Sequence, residues 1–112
     1  MANGLPGIWI VDVDGKTVFV DDQMARLLGE PSRWEIIGHP SSRYIFPEDL
    51  DAVHRMFERK KRGDRSAHQC RLRRKDGSAV LVEIQGSALH NEQGQFNVVV
   101  SMFTPIPVEP AE

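Results

Sequence analysis

The chain has 112 residues and a formal net charge of −2, and its composition is 40% hydrophobic and 27% charged. This length suits a single domain with its own core, and the composition excludes both a disordered chain and a membrane-spanning one. The slightly acidic balance argues against nucleic-acid binding, and the first residues lack the features of a secretory signal. The single cysteine excludes an internal disulfide and a cysteine-ligated zinc site, and we expect a cytoplasmic protein.

Turn signals divide the chain into five predicted strands, two early and three late. Asp-Gly pairs at 14–15 and 76–77 and the Asn-Glu-Gln-Gly segment at 91–94 are typical of hairpin turns. They predict strands over 7–13, 16–20, 67–75, 78–89 and 95–104. In the fourth strand Val80, Val82 and Ile84 occupy alternate positions, so the even positions are predicted to face the core. The first and last strands are apolar on both faces, which predicts a central place in the sheet.

The segment between the second and third strands is predicted to be helical. Asp21 or Asp22 can cap a first helix that Gly29 ends. Pro47 fits the first position of a longer helix, which Gly63 ends. Strands that are segregated from helices in this way predict an α+β domain with an antiparallel sheet.

The element order and several motifs resemble those of the PAS domain family, from about residue 7 to 106. The segments that carry the resemblance are GIWIVDVDG at 7–15, MARLLG at 24–29, IIG at 36–38, FPED at 46–49 and RLRRKDGS at 71–78. The resemblance implies a five-stranded antiparallel sheet in the order 2-1-5-4-3, with short helices on one face enclosing a small pocket. We expect a PAS domain over 7–105, between an N-terminal tail (1–6) and a C-terminal tail (106–112).

The resemblance also implies a non-enzymatic sensory module of a bacterial signalling protein, such as the sensor histidine kinase of a two-component system. The expected partners are a second copy of the chain, a signalling output domain and a small-molecule ligand, with no nucleic acid and no membrane contact. The sequence departs from the family pattern at Asp21, where asparagine is usual. It departs again at Pro105-Ile106-Pro107, where the family often has Asp-Ile-Thr, and this puts coupling to an output domain in doubt.

A ligand pocket is expected between the helices and the inner face of the sheet. The predicted ligand-binding residues are Leu28, Ile37, Tyr44, Phe46, Leu50, Val53, His54, Phe57, Val82 and Ile84. The cofactor is left unknown. No helical Asn-Cys-Arg-Phe motif is present, and Cys70 falls on a strand, which argues against a covalent flavin–cysteine adduct and leaves noncovalent flavin open.

Two alternatives to a ligand-binding sensor follow from the sequence. His54 shares a helical face with Leu50 and Phe57 and falls near the turn where haem-binding PAS proteins carry their iron ligand. The first alternative is therefore a haem-based gas or redox sensor with His54 as proximal ligand and no other metal site, against a purely structural role for His54. The second is a ligand-free dimerisation module whose outer sheet face forms the contact. The residues predicted for that contact are Trp9, Val11, Phe19, Leu81 and Val99.

Overall fold

The computed structural model describes residues 5–107. In chain order its strands and α-helices are β1 (Gly7–Asp12), β2 (Thr17–Val20), α1 (Asp22–Leu27), α2 (Leu50–Lys61), β3 (His68–Arg73), β4 (Ala79–His90) and β5 (Phe96–Pro105). Three short 3₁₀ turns lie between the two α-helices, at Arg33–Glu35, Ser41–Tyr44 and Pro47–Asp49. The five predicted strands and both predicted helices are confirmed. The strand bounds move by one or two residues, and the longer helix begins at Leu50, directly after the 3₁₀ turn that Pro47 opens.

The strands form one antiparallel sheet in the order β2-β1-β5-β4-β3, as expected. β1 and β5 are neighbours at its centre, with Trp9 paired to Ser101. β4 and β5 form the longest pair, which runs from Val82↔Pro105 to His90↔Phe96. The two-sided apolar character of the first and last strands therefore marks central strands, as predicted.

Side-chain caps explain where the helices begin. The Asp21 carboxylate accepts hydrogen bonds from the Met24 amide, at 2.8 Å, and from the Ile8 amide, at 3.1 Å. One Asp21 oxygen thus caps the start of α1 and connects it to β1. Asparagine also has a side-chain oxygen that can accept these bonds, so either residue can fill this position. Ser32 caps the next turn by accepting from the Trp34 amide at 3.0 Å.

The helices cover one face of the sheet, and the core lies between them. Val80, Val82 and Ile84 are buried on this inner face, as the alternation in β4 predicts. Aromatic rings complete the core, with the Trp9 ring 5.3 Å from Phe103 between centroids. Across residues 5–107 no helix is both long enough and apolar enough to cross a bilayer.

The prediction that Trp9, Val11 and Val99 face outward is wrong. Trp9 is 3% exposed and Val99 is 4% exposed, and Val11 packs against the core. The reason is the register, because Gly86 of β4 is paired with Ser101 of β5, which aligns even positions of β4 with odd positions of β5 and β1.

Phe19 and Leu81, by contrast, lie on the outer face, as expected. Phe19 is paired with Ile10, next to the inward-facing pair of Trp9 and Val20. Leu81 alternates with the buried valines of β4 and is 41% exposed. The predicted tails, 1–6 and 106–112, lie largely outside the described residues. At the C-terminal boundary the Ile106 amide donates to the Leu81 carbonyl at 2.9 Å, so pairing with β4 continues past Pro105.

Candidate functional site

A cavity of about 70 Å³ lies between α2 and the inner face of the sheet. Its walls are mostly apolar, and every strand except β2 contributes to them. They are formed by Trp9, Val11, Ser41, Ile45, Val53, Met56, Phe57, Lys60, Cys70, Leu72, Ile84, Val99, Ser101 and Phe103. A cavity this size holds several water molecules, since one water needs about 10–15 Å³ on the same scale.

Two small residues meet on the inner face of the sheet at one side of the cavity. Gly86 of β4 is paired with Ser101 of β5, and a Cβ atom at Gly86 would collide with the Ser101 side chain. Larger side chains flank this pair along both strands, namely Ile84 on β4 and Val99 and Phe103 on β5. Ser101 lines the cavity together with Val53, Met56 and Phe57 of α2.

Lys60 is the charged residue on the cavity wall, and it is only 2% exposed. Its Nζ donates a hydrogen bond to the Ser66 carbonyl at 2.7 Å. Burial lowers the pKa of Lys60, and the Asp64 carboxylate offsets this only partly. Asp64 forms its own ion pair with Arg59 at 3.5 Å, and its carboxylate lies 3.6 Å from His68 Nε2. The site thus contains a buried ammonium group that the protein compensates incompletely.

Two hydroxyl groups and a thiol complete the polar lining. Ser101 is 8% exposed and Ser41 is half-buried, and neither hydroxyl makes a hydrogen bond within residues 5–107. Every fully enclosed side-chain nitrogen or oxygen of those residues has a partner, so the Ser101 oxygen is accessible from the cavity. Burial, together with Asp49, raises the pKa of the Cys70 thiol to about 11, which keeps it protonated at neutral pH.

Three of the ten predicted ligand-binding residues line the cavity: Val53, Phe57 and Ile84. Leu28 and Val82 are fully buried in the core beside it, with no exposed surface. Val53 and Phe57 on α2 and Val82 and Ile84 on β4 show which faces of these elements point inward, and of the five residues only Val53, Phe57 and Ile84 could touch a ligand.

Three more of the predicted ligand-binding residues do not line the cavity and pack against other parts of the domain. Tyr44 is buried, and its hydroxyl donates to the Glu30 carboxylate at 2.6 Å. Ile37 packs against the edge of the core, and the Phe46 ring lies 4.4 Å beneath the Arg71 guanidinium group. Their apolar character therefore reflects packing rather than a place on the cavity wall.

Leu50 and His54 lie outside the cavity, so the expectation that His54 faces it is wrong. Both residues line an open groove that adjoins the cavity and shares Val53 and Phe57 with it. The His54 side chain is 76% exposed, and its Nε2 lies 3.8 Å from Glu58. One residue along a helix turns the side chain by about 100°, so when Val53 and Phe57 face the cavity His54 points away. The geometry gives no support to a haem ligand at this position.

Sequence reasoning missed the polar residues of the cavity. Lys60 follows Val53 by seven positions and Phe57 by three, which places it on the inner face of α2. That spacing was the available signal, but a lysine among Arg59, Lys61 and further basic residues is usually solvent-exposed. Ser101 could not be identified from the sequence, because its burial depends on the register of β5 in the sheet. Within residues 5–107 no cluster of three or more His, Cys, Asp or Glu side chains could hold a metal ion.

The opposite face of the sheet has an apolar surface, here called the outer patch. It comprises Ile8, Ile10, Leu81, Leu89, Val98, Val100 and Met102. The pairs Ile8↔Met102 and Ile10↔Val100 join it across the central strands. Met102 is 46% exposed and Leu89 is 50% exposed, values high for large apolar side chains. A contiguous surface of this kind is typical of a protein interaction site.

A model of the PAS fold matches residues 17–102, which is most of the chain and includes β2, β3, β4 and the larger part of β5. The chain belongs to the PAS family. PAS domains are in general sensory modules rather than enzymes, and they often dimerise and pass signals to output domains.

Solved PAS structures share the fold of this domain at low sequence identity. A PAS domain from Colwellia psychrerythraea has a TM-score of 0.82 and 19% identity, covering 90% of this chain and 86% of that one. A variant of the Drosophila melanogaster Cycle PAS-B domain with bound glycerol has a TM-score of 0.76 and 19% identity, covering 89% and 99%. A PAS domain from a two-component sensor histidine kinase has a TM-score of 0.73 and 16% identity, covering 90% and 85%. Comparison with curated protein sequences finds no match.

Proposed function

We propose that this PAS domain is a non-enzymatic sensory module that binds a small molecule in the cavity between α2 and the sheet. The observation that carries the proposal is the cavity itself, which has mostly apolar walls and a Ser101 hydroxyl without a hydrogen-bond partner in residues 5–107. Small-molecule sites generally combine apolar walls with a few polar groups that orient the ligand. The cavity has both components and is largely enclosed by packed side chains.

The size of the cavity favours a ligand of a few heavy atoms. Its volume is about 70 Å³, and each water-sized group needs about 10–15 Å³ of such space. The Drosophila Cycle PAS-B structure, which shares this fold, contains glycerol, a molecule in that size range. The planar ring systems of haem and flavin are much larger, so their entry would require α2 to move.

The ligand proposal is tested by NMR with glycerol as the probe. Glycerol should shift the backbone amide resonances of the wild type, with the largest shifts at residues that line the cavity. The same titration of Ser101→Leu, whose larger side chain occupies part of the cavity, should shift none of them. Shifts of equal size in both proteins would contradict binding in this cavity.

Dimerisation through the outer patch is a second proposed function, and β5 connects it to the first. Ser101 and Phe103 contact the cavity, while Val100 and Met102, the alternate residues of the same strand, belong to the outer patch. A ligand that displaces β5 would therefore change both faces together. Signalling requires that the ligand bind one dimer arrangement more tightly than another.

The occupant proposed for the outer patch is a second copy of this domain. The patch extends over three strands and is apolar, so two copies related by a two-fold axis could bury the same face against each other. Sedimentation velocity over a range of concentrations tests this directly, because a dimer must dissociate on dilution.

We further infer that the domain works within a larger signalling protein, such as a sensor histidine kinase of a bacterial two-component system. Similarity in fold to the PAS domain of a two-component sensor histidine kinase supports this context. The proposal includes a cytoplasmic location, an output domain as partner, and no contact with nucleic acid or membrane. A pull-down of the full-length protein with its output domain would test it.

A further inference from the structure

Lys60 differs from the other basic residues of the chain because it is buried and lines the cavity. Only 2% of it is exposed, whereas its neighbours Arg59 and Arg62 are exposed. Within residues 5–107 its Nζ makes one hydrogen bond, to the Ser66 carbonyl. An ammonium group has three N–H donors, so two of them are left for another acceptor.

The protein supplies little negative charge to this ammonium group. Asp64, the carboxylate that acts on it, accepts a hydrogen bond from the Ser66 hydroxyl at 2.6 Å and forms an ion pair with Arg59. Burying a charge without a paired partner is costly. Burial accordingly lowers the pKa of Lys60. An anion in the cavity would restore the missing compensation.

The remaining walls define the rest of such a ligand. Ser101, more than nine-tenths buried, has a hydroxyl with no hydrogen-bond partner in the described chain, and it opens onto the same cavity. Val53, Phe57 and Phe103 supply apolar surface. A phosphate carries more than one negative charge, and these walls offer it a single cation. An organic cation would be repelled by the Lys60 ammonium group. A single negative charge on a short apolar chain suits all of these contacts.

We propose that the ligand of the cavity is a short-chain aliphatic carboxylate, paired with Lys60 and hydrogen-bonded by Ser101, with its alkyl group against α2 and β5. The inference rests on the proposed function, because it names the class of small molecule that the sensory cavity takes. It assigns Lys60 the role of selecting the charge of the ligand, in addition to its bond to the Ser66 carbonyl.

The experiment compares propionate with propionamide, which has nearly the same shape and no charge, at equal ionic strength and neutral pH. Titrations followed by NMR should give propionate an affinity about tenfold or more above that of propionamide, as expected for a hydrogen bond to a charged group in a buried site. In Lys60→Met the two affinities should become equal. The matched control is Lys61→Met, which removes a lysine that pairs with Glu58 at 3.1 Å outside the cavity, and which should keep the preference.

A second readout uses the wild-type protein and does not depend on a variant that folds. The ¹³Cε resonance of Lys60 reports its ionisation, and propionate should raise the pKa of Lys60 while propionamide leaves it unchanged. Equal affinities in the wild type, or an unchanged Lys60 pKa with propionate bound, would overturn the carboxylate assignment and leave the ligand cavity intact. Failure of glycerol, propionate and propionamide alike to shift the cavity resonances would overturn the proposed ligand-binding function as well.

Discussion

Ser101 on β5 lies directly opposite Gly86 on β4, and the absence of a Cβ atom at Gly86 makes room for the Ser101 side chain. The pair is the least bulky point on the inner face of the sheet. Ser101 also lines the cavity. Gly86 thus determines how the Ser101 side chain is placed, and each residue can be tested by substitution.

Gly86→Ala is expected to destabilise the domain, because the added methyl group would overlap the Ser101 hydroxyl. Overpacking of this kind costs about 1–3 kcal/mol in the free energy of unfolding. Ser101→Ala alone should change stability little, and the double variant should recover much of the loss, since the colliding oxygen is gone. Urea denaturation of the four proteins gives the coupling between the two sites. Additive effects would contradict a direct clash.

Tyr44 and Glu30 form a buried hydrogen bond that predicts a loss of stability at high pH. Burial, reinforced by the bond to Glu30, raises the pKa of Tyr44 above its ordinary value of 10.0. A raised pKa means that the folded state holds its proton more tightly than the unfolded state. The contribution to stability is therefore complete below pH 10, and it is lost as the pH rises above that value.

The measurement is the free energy of unfolding from pH 8 upward for the wild type and Tyr44→Phe. The variant should lose part of the alkaline slope, and at neutral pH it should be less stable by about 1–3 kcal/mol, because the Glu30 carboxylate loses its donor. A matched control is Tyr44→Phe combined with Glu30→Gln, which replaces the carboxylate by a neutral amide. Identical alkaline slopes in the wild type and Tyr44→Phe would show that Tyr44 does not control this transition.

The order of the sheet was implied by the resemblance to the PAS family, whereas the individual strands and the start of α1 could be predicted because short-range signals determine them. Asp-Gly turns mark the hairpins, Asp21 caps α1, and the alternation of Val80 and Val82 identifies the inner face of β4. Each of these features depends on residues that are close together in the sequence, so it can be recognised without knowing the tertiary structure. The central position of β1 and β5 followed from their apolar residues on both faces.

The faces of β1 and β5 could not be predicted, because both strands are apolar at odd and even positions. Which set points inward depends on the register with β4, set by pairs such as Gly86↔Ser101. A one-residue difference in register exchanges the two faces, which is why Trp9 and Val99 were assigned to the wrong side. The cavity residues Lys60 and Ser101 were missed for a related reason, since their burial depends on contacts between distant segments.

Cys70 is predicted to react slowly with alkylating reagents in the folded protein. Burial and Asp49 raise the pKa of this thiol from 9.0 to about 11, which lowers the thiolate fraction near pH 8 by about 100-fold. Mass spectrometry should show slow modification by iodoacetamide in buffer and fast modification in urea. Because Cys70 lines the cavity, a bound ligand should slow the reaction further, and Ser101→Leu should remove that protection. Rapid alkylation of the native protein would contradict the burial of the thiol.

Met102→Glu is expected to convert a dimer into a monomer. Met102 is 46% exposed at the centre of the outer patch, and it is paired with Ile8 on one side and Gln85 on the other. A carboxylate there would be buried without a partner at the interface, which typically costs several kcal/mol. Sedimentation velocity should therefore show a concentration-dependent dimer for the wild type and a monomer for the variant.

Trp34→Glu is the matched control for this test, because Trp34 is a large apolar residue that is 67% exposed in a 3₁₀ turn, away from the outer patch. It should leave the dimer intact. A wild-type monomer at all concentrations, or equal effects of the two substitutions, would refute pairing through the outer patch. If the dimer does use this face, a ligand that contacts Ser101 should shift the dissociation constant of the wild type. The ligand should not shift the dissociation constant of Ser101→Leu, because the leucine side chain prevents the ligand from binding next to β5.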